Sequence, residues 1–128
     1  MNILKQTAAA CVLATLAMIG AEASAATIRV TCEVSPTRSK ISVDGKSLAS
    51  GRYTTVAVSG GSMATSPAEA SVAGEVAADY DSNPADIGAG AVAIPSTFII
   101  GGTVTGKVVD ASGQTVASDT VSCRIRNR

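Results

Sequence analysis

Two cysteines frame almost everything that can fold in this chain. Cys32 lies in VTCEV and Cys123 in VSCRI, matched settings that read as two strands, while a third cysteine, Cys11, sits upstream in an apolar run. A Cys32–Cys123 bond closes a loop of about ninety residues, worth roughly 4–5 kcal/mol on the chain-entropy argument. A redox-active pair is the alternative, but such pairs usually sit close together as C-x-x-C, and these two do not. The pair is therefore read as a structural disulfide that makes the first and last strands of one domain neighbours.

The stretch Thr103 to Arg126 that carries Cys123 reads as a β-hairpin. Its turn is Asp110-Ala111-Ser112-Gly113-Gln114, where Asp can bond nearby backbone N–H groups and Gly113 supplies a positive φ. Val104, Gly106 and Val108 share one face of the entering arm. On the returning arm Val121, Cys123 and Ile125 share a face, with Arg124 and Arg126 on the other.

The first twenty-five residues read as an address. Lys5 precedes an apolar run, Thr7 to Gly20, and Ala23-Ser24-Ala25 offers small residues two apart. Together these make a secretory signal peptide; the run is shorter than the roughly 20 residues a membrane span needs. Cleavage after Ala25 is expected, with Cys11 discarded. It leaves Ala26 to Arg128, 103 of the 128 residues, as a single domain with no membrane span.

Composition then narrows the function. Ten basic residues balance ten acidic ones, so nothing argues for nucleic acid as a partner. There is no His and no Trp. The commonest general base and metal ligand is missing, and a serine or cysteine triad of the usual kind cannot be assembled. Tyr53, Tyr80 and Phe98 are the only aromatic side chains, too few for a stacking platform. The expectation is a non-enzymatic protein.

Between the cysteines the chain reads as strands. Ile28, Val30, Cys32 and Val34 face one way and Arg29, Thr31 and Glu33 the other, with Pro36 ending the strand. Ile41 and Val43 point inward before Asp44-Gly45, a turn signal. Gly60 to Ser66 reads as a flexible connection. Ser66-Pro67-Ala68-Glu69 has the form of a helix start with a capping box, so Ala68 to Ala73 is a short helix or a polar loop. Glu75 to Tyr80 reads as a strand with an acidic face, then a turn in which Asn83 caps and Pro84 opens a helical stretch. Pro95 separates two apolar runs, Ala91 to Ile94 and Ser96 to Ile100.

Leu48, a short turn with Gly51, then Tyr53 opening a Val-rich strand resembles bacterial immunoglobulin-like and transthyretin-like sandwich domains. Gly106-Lys107-Val108-Val109-Asp110, followed by Ser112-Gly113 and Val116, is similar to the G-x-V-x-D-x-x-G-x-x-V phrase of the same group. The resemblance covers about a third of residues 26–128. It implies a fold and no activity, since such folds host many functions. One feature departs from it: Tyr53 and Val56/Val58 fall on opposite faces of a regular strand. Either a bulge lies near Thr54-Thr55, or Tyr53 points outward.

Three constellations invite chemistry. Asp79-x-Asp81-x-Asn83 begins like a calcium loop, but Pro84 stands where an EF-hand needs Gly and Gly90 where it needs Glu. A looser calcium site from Asp79, Asp81, Asn83 and Asp86 competes with a solvated turn making local backbone bonds. Glu75, Asp79 and Asp81 offer paired carboxylates for glycoside hydrolysis, without the aromatic cleft that chemistry uses. Arg124, Arg126 and Arg128 alternate, either to meet an anionic partner or to pair across strands with carboxylates such as Glu33.

The sequence thus leads to an all-β fold: a single antiparallel β-sandwich of about seven strands, immunoglobulin-like, closed by one disulfide. The expected function is an exported structural or binding module of the bacterial periplasm or cell surface, meeting a protein partner or itself. The alternatives are an appendage subunit polymerising by edge-strand addition, motivated by the small-residue composition and the apolar Phe98-Ile99-Ile100, and a calcium-dependent binding domain.

Overall fold

A computed structural model describes residues 26–127. The signal-peptide reading for residues 1–25 lies outside them. The elements are β1 (Thr27–Ser35), β2 (Arg38–Lys46), β3 (Arg52–Ser59), β4 (Ser62–Thr65), β5 (Glu69–Ala70), β6 (Val76–Asp81), α1 (Pro84–Gly88), β7 (Val92–Ala93), β8 (Thr103–Asp110), β9 (Thr115–Ser122) and β10 (Arg124–Ile125). They form two sheets, ordered β10-β1-β2-β6-β7 and β4-β3-β8-β9, with β5 also on β3. Every pairing is antiparallel except the short β1–β10 and β6–β7 contacts. The sheets bury one core between them, built from Val30, Cys32, Ile41, Val43, Val76 and Tyr80 on one side and Tyr53, Ala57, Val104 and Val108 on the other.

Period-two patterning accounts for the long strands. Val30 and Cys32, Ile41 and Val43, Val104 and Val108 all point inward, and β1 and β2 pair without a break from Thr27↔Lys46 to Ser35↔Arg38. The 103–122 hairpin forms as read. Asp110 Oδ1 accepts from Ser112 N, Ser112 Oγ and Gln114 N, and Gly113 takes φ 90°. Those bonds, the Ser112 hydroxyl first, hold the Asp110 carboxyl below its ordinary pKa. The returning arm differs from its expectation. β9 stops at Ser122, Cys123 is the crossing point, and β10 runs parallel to β1 in the other sheet. Ile125 therefore ends 64% exposed instead of continuing the inward face.

Four local readings are corrected. Asp44-Gly45 is not a turn: β2 runs through it to Lys46, with Gly45 opposite Val76 of β6. A Cβ on Gly45 would lie 2.9 Å from Val108 Cγ2, and one on Gly106 2.5 Å from Val30 Cγ2. Both glycines serve the close approach of the sheets. Tyr53 is buried on an unbroken strand, with Thr55, Ala57 and Ser59 beside it facing the core. Val56 and Val58 are the residues that face out. The region 60–66 is not a loose connection, because Ser62–Thr65 returns along β3 as β4. Of the two alternatives for residues 68–73 the helix gives way: the stretch is an exposed connection that holds the two-residue strand β5, paired as Arg52↔Ala70 and Tyr53↔Glu69.

Residues 94–102 form no strand. Phe98 N donates to the Pro95 carbonyl, and the Ile99 and Ile100 amides donate to Ser39 Oγ and Ser59 Oγ. Two buried serine hydroxyls thus take amides that a ladder would otherwise hold. Ile94, Phe98 and Ile99 are buried where this segment crosses between the sheets, leaving Ile100 half exposed. The apolar strand that motivated polymerisation is instead part of the core.

Candidate functional site

The two lateral edges of the sandwich contain the residues that the sequence singles out. At one edge Cys32 of β1 meets Cys123 across a Cα–Cα distance of 4.7 Å, 91 residues apart in sequence. The disulfide sits where the chain passes from β9 in one sheet to β10 in the other. The Cys123 amide donates to the Gly102 carbonyl and the Arg126 amide to that of Val34. Arg126 Nε lies 3.4 Å from Glu33 Oε1 and both groups are well exposed. Arg124 is opposite Glu33 in register. The arginine alternation is spent, in this part, on pairing with β1.

At the other edge the acidic turn folds over the outer side of β6. Asn83 Oδ1 accepts from Ala85 N and caps α1, and Pro84 opens it, as the sequence reads. Asp81 is 2% exposed and held by Arg38: Nε donates to Oδ1 at 2.9 Å and Nη2 to Oδ2 at 2.6 Å. Arg38 Nη2 also reaches Asp86 Oδ2 at 2.8 Å, and Asn83 N donates to Asp81 Oδ1 at 2.9 Å. Burial by itself pushes the Asp81 carboxyl up. The Arg38 hydrogen bonds, the Asn83 amide and the charges of Arg38 and Lys40 outweigh it, leaving the pKa below its ordinary value. The same pair raises the Arg38 pKa, the Asp81 hydrogen bond leading.

The four side chains of the calcium reading make other contacts here. Asp81 and Asp86 converge on a guanidinium, Asn83 caps a helix, and Asp79 accepts from Ser42 Oγ. Among the described residues, no three acidic, Cys or His side chains stand together as a metal-binding group. Of the carboxylates that could pair, Asp81 is buried in an ion pair and Glu75 lies outside the strand, bridging to Val72. Arg38 is the residue that sequence reasoning missed. It stands 43 positions from Asp81, so no local period links the two.

The outer half of β6 is open. β7 covers β6 only at Tyr80↔Val92 and Asp81↔Ala93. Beside the uncovered half lies a cleft of about 570 Å³, walled by the 66–69 segment on one side and residues 89–92 on the other. Ala77 N points into it and is met by Glu69 Oε1 at 3.3 Å. Glu69, expected to complete a capping box, instead puts a side-chain oxygen where a neighbouring strand would put a carbonyl. Behind this edge, Tyr80 is fully buried, with its hydroxyl 2.5 Å from Thr55 Oγ1. Burial raises the Tyr80 pKa, and the Thr55 and Ser66 hydroxyls temper the rise.

The outer faces of the sheets differ as well. On the β1-β2-β6 face Arg29 faces Asp44, Glu33 faces Lys40 and Ser42 faces Asp79 in register. On the other face Val58 is beside Met63, Val56 beside Thr65 and Lys107, and Thr105 beside Thr120. No model of a known protein family matches the chain, and no curated protein matches it significantly. Among the described residues no helix is long and apolar enough to cross a membrane.

Proposed function

We propose that the chain is an exported, non-enzymatic binding module of the bacterial periplasm or cell surface, with an immunoglobulin-like sandwich. One observation carries the reading: among the described residues, the buried polar side chains are committed to hydrogen bonds that hold strands and connections together. Ser39 takes the Ile99 amide and donates to the Ser96 carbonyl; Ser59 bonds Ile100 and Thr103; Ser66 takes the Thr55 amide; Thr55 meets Tyr80; Asp81 meets Arg38. Such a scaffold acts through what it leaves open, namely its faces and strand edges.

The strand order supports the immunoglobulin-like assignment. That arrangement sets strands A-B-E-D against C-F-G. Here β1-β2-β6 corresponds to A-B-E and β3-β8-β9 to C-F-G, with β4 as an extra strand beyond β3. The two phrases that carry the sequence resemblance lie side by side, Tyr53 against Asp110. Tyr53 Oη also donates to the Ala49 carbonyl, four residues upstream, at 2.7 Å, a tyrosine-corner bond at a different strand from the usual one. The Cys32–Cys123 bond fits an oxidising compartment.

Native mass of the oxidised, secreted protein tests the reading. A monomer from micromolar concentration upward is expected. A ladder of oligomers would replace it with the polymerising-subunit reading, for which the open half of β6 is the favouring observation.

A further inference from the structure

We propose that the open half of β6 is a docking edge for an extended, cationic partner peptide with small side chains. The inference rests on the binding-module reading and names its site. An immunoglobulin sandwich has a fourth strand, D, beside E. In this chain β6 holds the E place, but the segment that would supply D goes back to β3 as β5. Only the two-residue β7 stands beside β6, at its far end. A strand place next to Val76–Asp79 is left without a strand and opens into the cleft of about 570 Å³.

Strand geometry makes that place usable. The Ala77 amide points away from β2, since it reaches Glu69 Oε1. Backbone groups alternate along a strand, so Asp79 presents its amide the same way. Both are ladder groups with no strand beside them, the condition for β-augmentation. The Glu69 carboxylate at 3.3 Å is a replaceable stand-in for an incoming carbonyl.

The wall chemistry chooses the occupant. Ala68, Ala77, Ala78, Ala89 and Ala91 line the cleft, leaving room for a backbone and small side chains but giving little grip to large apolar ones. The charged lining is Glu69, Asp79, Asp81 and Asp86 against Lys40, and with the Arg38 guanidinium on Asp81 and Asp86 counted the carboxylates still outnumber the cations. Asp86 remains 48% exposed even with Arg38 on it. Such a cleft favours positive side chains and repels acidic ones.

Amide hydrogen exchange on the oxidised protein tests the proposal, using two short blocked peptides, one alternating alanine with lysine and the other alanine with glutamate. The lysine peptide should slow exchange at Asp79 at least about tenfold at low salt, leave Ile41 and Val43 unchanged, and lose its effect as salt rises. The glutamate peptide should do nothing. Ala77→Pro should abolish the protection, because it removes an outward amide without breaking a bond to β2. If that variant fails to fold, the contrast between the two peptides on the wild-type protein still decides. No protection at Asp79, or equal protection by both peptides, overturns the proposal. Protection of Asp79 that grows with protein concentration and no peptide also overturns it, in favour of a second copy as occupant. A concentration-independent monomer that ignores both peptides leaves the binding-module reading standing and removes only this site.

Discussion

One edge of this sandwich is sealed covalently and the other is held by noncovalent contacts. At the sealed edge the chain crosses between sheets at Cys123, and the disulfide, the Gly102 and Val34 carbonyls and β10 together leave β1 covered at its end. The opposite edge has a similar problem, a chain passing between sheets around residues 70–76 and 82–102, and no cysteine to solve it. There the bidentate Arg38–Asp81 pair, the Asn83 cap and the buried Ser39 and Ser59 hydroxyls hold the connections. A disulfide acts mainly by limiting the unfolded chain, whereas a buried ion pair acts on the folded state and depends on pH. The first edge should therefore fail with reductant and the second with acid.

The largest effect should come from breaking the sealed edge. Reduction, or Cys32→Ser with Cys123→Ser, should cost about 2–5 kcal/mol in denaturant unfolding. An unchanged midpoint after reduction would remove the disulfide from the account. Next is Arg38→Ala, which leaves the buried Asp81 carboxylate without its guanidinium. Breaking a fully buried pair costs about 3–5 kcal/mol, and with Arg38 37% exposed we expect nearer about 2 kcal/mol.

Acid should act on the second edge alone. The folded-state pKa of Asp81 is below its ordinary value, so its contribution is present above the unfolded pKa. It is lost as pH falls from about 4 through the depressed folded value. Asp81→Asn should flatten the acid limb in thermal melts taken across acid pH, and reduction of the disulfide should leave the slope unchanged. Tyr80→Phe should cost about 1–2 kcal/mol, since it leaves the buried Thr55 hydroxyl without its partner. The smallest effect belongs to Arg126→Ala. Its pair with Glu33 is exposed on both sides and should change stability by less than about 0.5 kcal/mol.

The sealed edge was the more legible in the sequence. The Cys32–Cys123 pairing, the alternation of Ile28, Val30 and Cys32, and the Asp110–Gly113 turn form as read, although Cys123 sits between β9 and β10 and not on a strand. The open edge depends on contacts between distant positions. Arg38 and Asp81, Ser39 and Ile99, Ser59 and Ile100 lie 41 to 60 residues apart, and no period or spacing rule joins them. Gly45 misleads for a different reason: glycine marks both turns and close sheet approach, and only the partner Val108 tells which. Tyr53 likewise shows that the larger apolar residues of a strand need not face the core, because Thr55 and Ser59 carry hydroxyls that the buried side needs.

Site-resolved amide exchange on the oxidised protein, with nothing added, compares the two edges most directly. Exchange should be slow at Cys123 and Arg126, whose amides are bonded across the sealed edge, and fast at Asp79, whose amide faces the open strand place beside β6. Asp79 protected as strongly as Cys123 and Arg126 would contradict this, because the edge called open would then be closed.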